Sequence, residues 1–337
     1  MATYAETKKK KNILVRFLTL NTSRETGGRE LPLWRQIILQ VLCLIIAAEV
    51  LFPIMYIVTL SFSSKTTRPS NLELFPKEIS FTAYQQVLDR PTANPVTFLE
   101  LLRNSFALSI SVGLIAVLIA VIAAYAFSRF KFKLRQTLML LVFVPLLMPS
   151  VGLATPLYLL MNSFRIAECG QGVIAIAPFA TCAEGLGKMV FNLRDSLYGV
   201  GIAMVATALP FAIWNLKGYV DTIPKELEEA AAIDGADPNQ IFFRIVLPLA
   251  LPQLAVTFFL GFIGHWQEFV LPWLFLTQPE NYTLSMTLYN MTGQYASSIP
   301  WNRFAAMAVI VALPVAIVYI ALQKQIVSGL TTGSVKG

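Results

Sequence analysis

Charge is what this sequence has least of. Lys, Arg, Asp and Glu make up 13% of its 337 residues, while 56% are apolar. A water-facing domain carries roughly 25% charged residues, so a mainly soluble fold is excluded. Histidine occurs once, at His265, which excludes a multi-histidine metal centre. No Gly-x-x-x-x-Gly-Lys-Ser/Thr stretch occurs, so the chain has no phosphate loop for a nucleotide of its own. A nucleophile elbow, a Ser/Lys dyad motif and paired acids are also missing, so no catalytic residue and no metal ligand is expected. The few cysteines are Cys43 in an apolar run and Cys169 and Cys182 together in a polar connection, where an oxidising compartment would permit a bridge. No repeat is visible at a spacing of about 20–50 residues.

Long apolar runs take the place of charge. They recur at Gln36–Phe62, Asn104–Phe127, Gln136–Met161, Tyr198–Leu216, Leu247–Leu276 and Phe304–Leu322. Each reaches the roughly 20 residues that cross about 30 Å of hydrocarbon as a helix. The expected fold is therefore all-α: a polytopic membrane protein with six transmembrane helices. The first run is too long for a signal-peptide core and lacks a small-residue cleavage site, so it is expected to remain in the chain.

A net charge of +7 invites a nucleic-acid reading, but the positions of the basic residues argue for membrane orientation instead. They crowd into Lys8–Lys11, Arg16, Arg24, Arg29 and Arg35, and into Arg129, Lys131, Lys133 and Arg135. Lys217, Lys225, Arg244, Lys324 and Lys336 fall on the same side if six helices separate the two ends. By the positive-inside rule that side is the cytoplasm, and both termini lie there. No nucleic-acid partner is expected.

The chain then divides into an N-terminal cytoplasmic arm, 1–35, a transmembrane domain, 36–322, and a short cytoplasmic tail, 323–337. In the third apolar run Pro145, Pro149 and Pro156 each remove a backbone donor and can kink or break the helix. Such a break is tolerated where protein or a wet cavity satisfies the freed groups. A broken helix beside a path and a simple packing kink both fit. The connection 162–197 is long, and Val173–Ala183 within it is apolar but too short to span, so a re-entrant or surface-lying piece is expected.

The polar loop 218–246 is the most specific segment. Pro224 suits a first helical turn, and Glu226, Glu228 and Glu229 suit the N-terminal half of a helix. Leu227, Ala230, Ala231 and Ile233 give that helix a small apolar side. Gly235 is placed to stop it in the left-handed conformation. Asp237-Pro238 reads as an N-cap and first-turn proline of a second helix through Phe242, Phe243 and Ile245. The pattern Glu229-Ala230-Ala231, three residues, Gly235, nine residues, Ile245, one residue, Leu247-Pro248 resembles the signature loop of permease subunits in bacterial ABC importers served by an extracytoplasmic binding protein. An ordinary amphipathic connector would not need all of these residues at this spacing.

Other segments resemble the carbohydrate branch of that family. They include Phe52-Pro53-Ile54, Arg103-Asn104-Ser105-Phe106, Tyr125-Ala126-Phe127-Ser128-Arg129 and Phe211–Tyr219. Trp266-Gln267-Glu268-Phe269 does so too, with Gln267 where the common form has Asn. Asn281-Tyr282-Thr283-Leu284, Trp301–Ala306 and Gly329–Gly337 are similar to the MalG-like subunits of maltose/maltodextrin importers. The resemblance runs from about residue 36 to the end, and 165–194 departs from it.

The resemblance implies a type I ABC importer permease fold and a non-catalytic subunit in the bacterial inner membrane, with ATP and Mg bound by a partner ATPase dimer. It implies a second, MalF-like permease subunit, an extracytoplasmic sugar-binding protein and a sugar substrate. Coupling to the ATPase would fall to Glu228, Glu229, Ala230, Ala231, Asp234, Gly235, Ile245, Leu247 and Pro248. The family's tail reaches the ATPase, which here would use Gly333, Lys336 and Gly337. The outer loop before helix six reaches the binding protein, here through Asn281, Tyr289 and Asn290. A translocation path is expected along His265, Trp266, Gln267 and Glu268, because acids within apolar runs are costly and often functional; Glu49 is the other such acid. Polyamine, phosphate and peptide permeases share the signature loop. A secondary transporter or channel needs no such loop and often carries pseudo-repeats.

Overall fold

The computed structural model describes residues 33–67, 78–169, 173–177, 188–293 and 299–334. Two units divide the chain, 1–54 and 55–337. The first holds most of helix α1 (Leu33–Ser61), whose apolar side chains are exposed along its length. The expected arm 1–35 falls almost wholly outside the described residues.

In the second unit α2 (Thr82–Asp89) is short and precedes α3 (Phe98–Arg129). Thr97 starts α3 with a capping box, accepting from the Glu100 amide while the Glu100 carboxylate takes the Thr97 amide. Next come α4 (Arg135–Leu147), α5 (Ser150–Ser163), α6 (Leu197–Val220), α7 (Lys225–Ile233) and α8 (Pro238–Ile241). A single π turn, Phe242–Val246, joins α8 to α9 (Leu247–Gln267) without a break. The chain closes with α10 (Val270–Phe275), α11 (Leu284–Asn290) and α12 (Trp301–Ser334).

Among the described residues five helices are long and apolar enough to span a membrane, and α4 with α5, bent by 105°, makes up to a sixth when the pair is counted as one broken span. The bend sits at Met148-Pro149, with Met148 extended, as a residue before proline prefers. Pro145 and Pro156 stay within their helices. Among the three prolines, then, only Pro149 breaks the span.

Two expectations are revised by the structure. The re-entrant or surface-lying piece expected at Val173–Ala183 begins with a strand: Arg165–Cys169 (β1), Val173–Ala177 (β2) and Lys188–Asn192 (β3) form an antiparallel sheet in the order β2-β1-β3. The runs Val-Ile-Ala-Ile-Ala and Lys-Met-Val-Phe-Asn are β-branched or aromatic at intervals, and strand pairing satisfies their backbone groups. This sheet occupies the stretch where the resemblance lapses. Cys182 and the rest of 178–187 lie outside the described residues, and the Cys169–Cys182 question with them. The second correction concerns the fifth span, which stops at Gln267 rather than Leu276; Glu268 is extended and α10 starts anew.

Core packing explains the helix arrangement. α3 packs most extensively against α6, then α9, and α9 against α12. Ala116, Ala120 and Ala124 recur every four residues on α3 and are buried. Small side chains let helix backbones approach closely, which replaces the hydrophobic drive that lipid removes. At one end Phe262, Trp266, Leu101, Leu284 and Met307 form an aromatic-rich cluster, and at the other Val220, Ile223, Ile241 and Val246 form a small one.

Candidate functional site: a helical hairpin held on the bundle end

Helix α7 runs as the sequence predicts, with Pro224 as its N-cap rather than its first residue. Its end is a Schellman motif. The Ala236 amide donates to Ala231 O at 2.9 Å and the Gly235 amide to Ala232 O at 3.1 Å, around Gly235 with φ +87°. Two residues later Asp237 caps α8, accepting from the Asn239 and Gln240 amides, while Gln240 returns a bond to the Asp237 amide. α7 and α8 therefore form a helical hairpin whose angle is set by one left-handed residue. Beyond α8 the helix continues through the π turn to α9, so Ile245 belongs to that turn and Leu247 and Pro248 open α9. A π turn places one extra residue in the helix, a feature often found at functional sites.

Ala231 and Ala236 pack on the Val220–Val246 cluster and seat the hairpin on the bundle. The opposite side of α7 is open: Leu227 is 46% exposed and Ile233 87%, with Glu226, Glu229, Ala230 and Asp234 also exposed. An exposed isoleucine beside a row of acids is an unusual surface for a segment that carries no span. It offers small apolar contact and negative charge together.

Glu228 is the exception among the acids. Its Oε1 accepts from Arg129 Nε at 2.6 Å, and its Oε2 from the Tyr125 hydroxyl at 3.3 Å, with little of either charged side chain exposed. Arg129 also donates to Val220 O (3.1 Å), Ile223 O (2.9 Å) and Ser128 Oγ (3.0 Å). Ser128 in turn donates to Asp221, which also takes Lys217 Nζ at 2.5 Å. Glu228, expected among the coupling residues, thus turns inward to Arg129 and not to the open side of α7. The sequence could not show this, because its partner lies 99 residues away.

Burial alone would raise Asp221, but hydrogen bonds from Lys217 and Ser128, with the charges of Lys217 and Arg129, hold it below the ordinary carboxylate range. A depressed folded value means stability that is present above about pH 4 and lost as pH falls through the folded value. The melting temperature of Asp221→Asn in detergent should lie below that of the native chain at pH 7. The gap should close as pH drops below about 4; a gap that persists there would exclude the ionised Asp221 as its source.

The polar run at the end of α9 does not form one face. Trp266 is 2% exposed, donates to Val311 O at 3.0 Å and packs against Phe106 and Phe262. Ser285 donates to its carbonyl. Trp266 is therefore core and presents nothing to a path. Glu268 accepts from the Val270 and Leu271 amides at 2.7 and 3.2 Å, capping α10. Glu268→Ala should cost about 1 kcal/mol, the usual worth of such a cap, read as a lower melting temperature in detergent. An unchanged melting temperature would count against the capping role. His265 is half-buried and Gln267 is exposed.

At the end opposite the hairpin, a cavity of about 650 Å³ opens between α3 and α6, lined among others by Arg103, Ser111, Ser196 and Tyr198. Asn281 reaches Asp195 O at 3.5 Å, and Asp195 takes the Thr277 amide at 2.8 Å, fastening the end of the sheet insertion to the loop before α11. Tyr289 stacks on Phe269 at 4.5 Å, and Asn290 is exposed. Gly333 lies in α12, which continues through the expected tail boundary to Ser334, while Lys336 and Gly337 are outside the described residues. No group of three potential metal ligands occurs among the described residues.

Residues 116–332 match the model of the family described as "Binding-protein-dependent transport system inner membrane component". Over 315 residues the chain is 32% identical to the maltose/maltodextrin transport system permease protein MalG of Photorhabdus laumondii, covering 90% of this chain and 97% of the relative. It is 30% identical over 291 residues to the galactooligosaccharides transport system permease protein GanQ of Bacillus subtilis, covering 86% and 92%. In structure it is similar to a chain of a bacterial ABC transporter involved in the import of the acidic polysaccharide alginate, with a TM-score of 0.63 at 23% identity, covering 89% and 99%. That likeness carries the fold of the helical bundle alone.

Proposed function

Because this chain belongs to the family of binding-protein-dependent transport system inner membrane components, we propose that it is a permease subunit of a carbohydrate importer, with maltose and maltodextrins as its substrate class. ATP and Mg would sit on a partner ATPase dimer, and a second permease subunit would complete the pathway. An extracytoplasmic binding protein would deliver the sugar. The hairpin and both chain ends would face the cytoplasm, as the clustering of basic residues supports.

The observation that carries this reading is the α7–Gly235–α8 hairpin, an exposed acidic and apolar helix joined rigidly to a spanning helix. A soluble partner that grips α7 and moves it would turn α9 through a fixed angle, since the two Schellman bonds around Gly235 and the Asp237 cap hold the turn between them. That motion would alternate access to the pathway. The sugar class rests on MalG-like relatives at 32% identity. A galactooligosaccharide importer is the second reading, favoured by the relative at 30%.

Co-purification with the ATPase and second permease, followed by ATP hydrolysis with the cognate binding protein, tests both levels. Stimulation by maltotriose over a galactooligosaccharide supports the maltodextrin reading, and the reverse order overturns it. An ATPase that never associates with the chain overturns the permease reading itself.

A further inference from the structure

α7 is tied to the bundle at a second place besides Gly235. Arg129 is the last residue of α3, and all three of its side-chain nitrogens donate, two of them to other segments. One bond runs to Glu228 on α7, two to the carbonyls of Val220, the last residue of α6, and Ile223 in the turn after it, and one to Ser128 beside it. The end of a helix collects negative partial charge on its free carbonyls, and a guanidinium fork answers that charge and the Glu228 carboxylate at once. Tyr125, one turn back on α3, adds a bond to the same carboxylate and packs its ring against Phe242 at 4.9 Å. Both members of the ion pair are largely shielded from water. Such a pair resists being pulled apart, because separation would leave two shielded charges with neutral partners only.

We propose that Arg129 is a positioning residue that makes α3 and α7 one rigid body. A displacement of α7 by the ATPase is then delivered to two spanning helices: α9 through Gly235 and α8, and α3 through the Arg129–Glu228 pair. α3 is the helix that packs most extensively within the bundle and lines the cavity at the opposite end through Arg103, Ser111 and Val112. Movement of its cytoplasmic end is therefore carried to the region where a solute would enter. This rests on the coupling reading above.

The test uses the assembled importer in lipid, with spin labels on cysteines at positions 133 and 225 and serine at Cys43, Cys169 and Cys182. Position 133 follows α3 and position 225 opens α7; both are exposed and neither touches the ion pair. The 133–225 distance is measured nucleotide-free and after trapping with ATP, orthovanadate and the binding protein. One narrow distance, the same in both states, is expected in the parent. Glu228→Gln, which keeps the side-chain shape and removes the charge, should broaden that distance or make it state-dependent.

A parent distance that shifts on trapping would overturn the proposal, as would a Glu228→Gln distance that stays narrow and fixed. Glu228→Asp should restore a narrow distribution, which distinguishes the ion pair from a general loss of folding. A second pair, at positions 225 and 243, spans the Gly235 turn and reports on the coupling reading separately. An importer whose ATPase cannot be trapped on this chain fails at that level, whatever the 133–225 pair shows in the untrapped state.

Discussion

Replacing Gly235 by Val is expected to cut stimulation of the ATPase by loaded binding protein about 5–30-fold while leaving the chain inserted and assembled. Gly235 has φ +87°, and a Cβ built there meets no atom within 4 Å. Space is therefore not the obstacle, and the whole penalty is in the backbone. A β-branched residue in the left-handed region costs on the order of 1–2 kcal/mol or more. The chain can relieve that strain only by leaving the left-handed region, which breaks the Ala236–Ala231 and Gly235–Ala232 bonds and swings α7 relative to α8. A shift of 1–2 kcal/mol is a factor of about 5–30 in population, so stimulated hydrolysis in proteoliposomes should fall by about that factor.

Asn tolerates the left-handed region better than other side chains. Gly235→Asn should therefore keep most of the stimulation that Gly235→Val loses. Equal loss in both would mean that contact with the partner, not turn geometry, is what glycine provides. Full stimulation and uptake in the Val variant would remove the hinge role altogether.

What the sequence made legible here is local. Gly235 and Asp237-Pro238 declare themselves because a helix stop and a helix start depend on residues within one turn. The apolar runs declare the spans for the same reason, since length and hydropathy are properties of a segment alone. Tertiary decisions are not written this way. Glu226, Glu228 and Glu229 look alike in sequence, and only the fold brings Arg129 against the middle one. Trp266 and Glu268 look like polar breaks in an apolar run, yet the carbonyl of Val311 and the amides of α10 claim them. The fifth span could not be ended at Gln267 from composition, because Val270–Leu276 is as apolar as the helix before it. Among Pro145, Pro149 and Pro156 hydropathy shows no preference; the position where Met148 can go extended decides.

The inward turn of Glu228 sharpens what is expected of its neighbour. Glu229 begins the Glu-Ala-Ala triplet, is exposed, and sits beside Leu227, Ala230 and Ile233 on the open side of α7. Those side chains would be covered when a partner seats on the helix, and a carboxylate at the edge of an apolar contact is partly desolvated there. It then needs a cationic partner, and reversing its charge places two cations together in a site that excludes water. Disrupting one member of a buried interfacial charge pair costs about 2–5 kcal/mol, so Glu229→Lys should weaken ATPase retention by roughly 30-fold or more. Exposed charges are screened over about 8 Å at physiological salt, whereas buried pairs are screened far less. The loss should accordingly persist from low to moderate salt in co-purification of the assembled complex. Glu228→Gln should retain the ATPase, because its carboxylate already belongs to Arg129. Undiminished retention with Glu229→Lys at both salts would place the ATPase contact elsewhere. Equal loss in the two variants would mean that Glu228 leaves Arg129 when the partner docks.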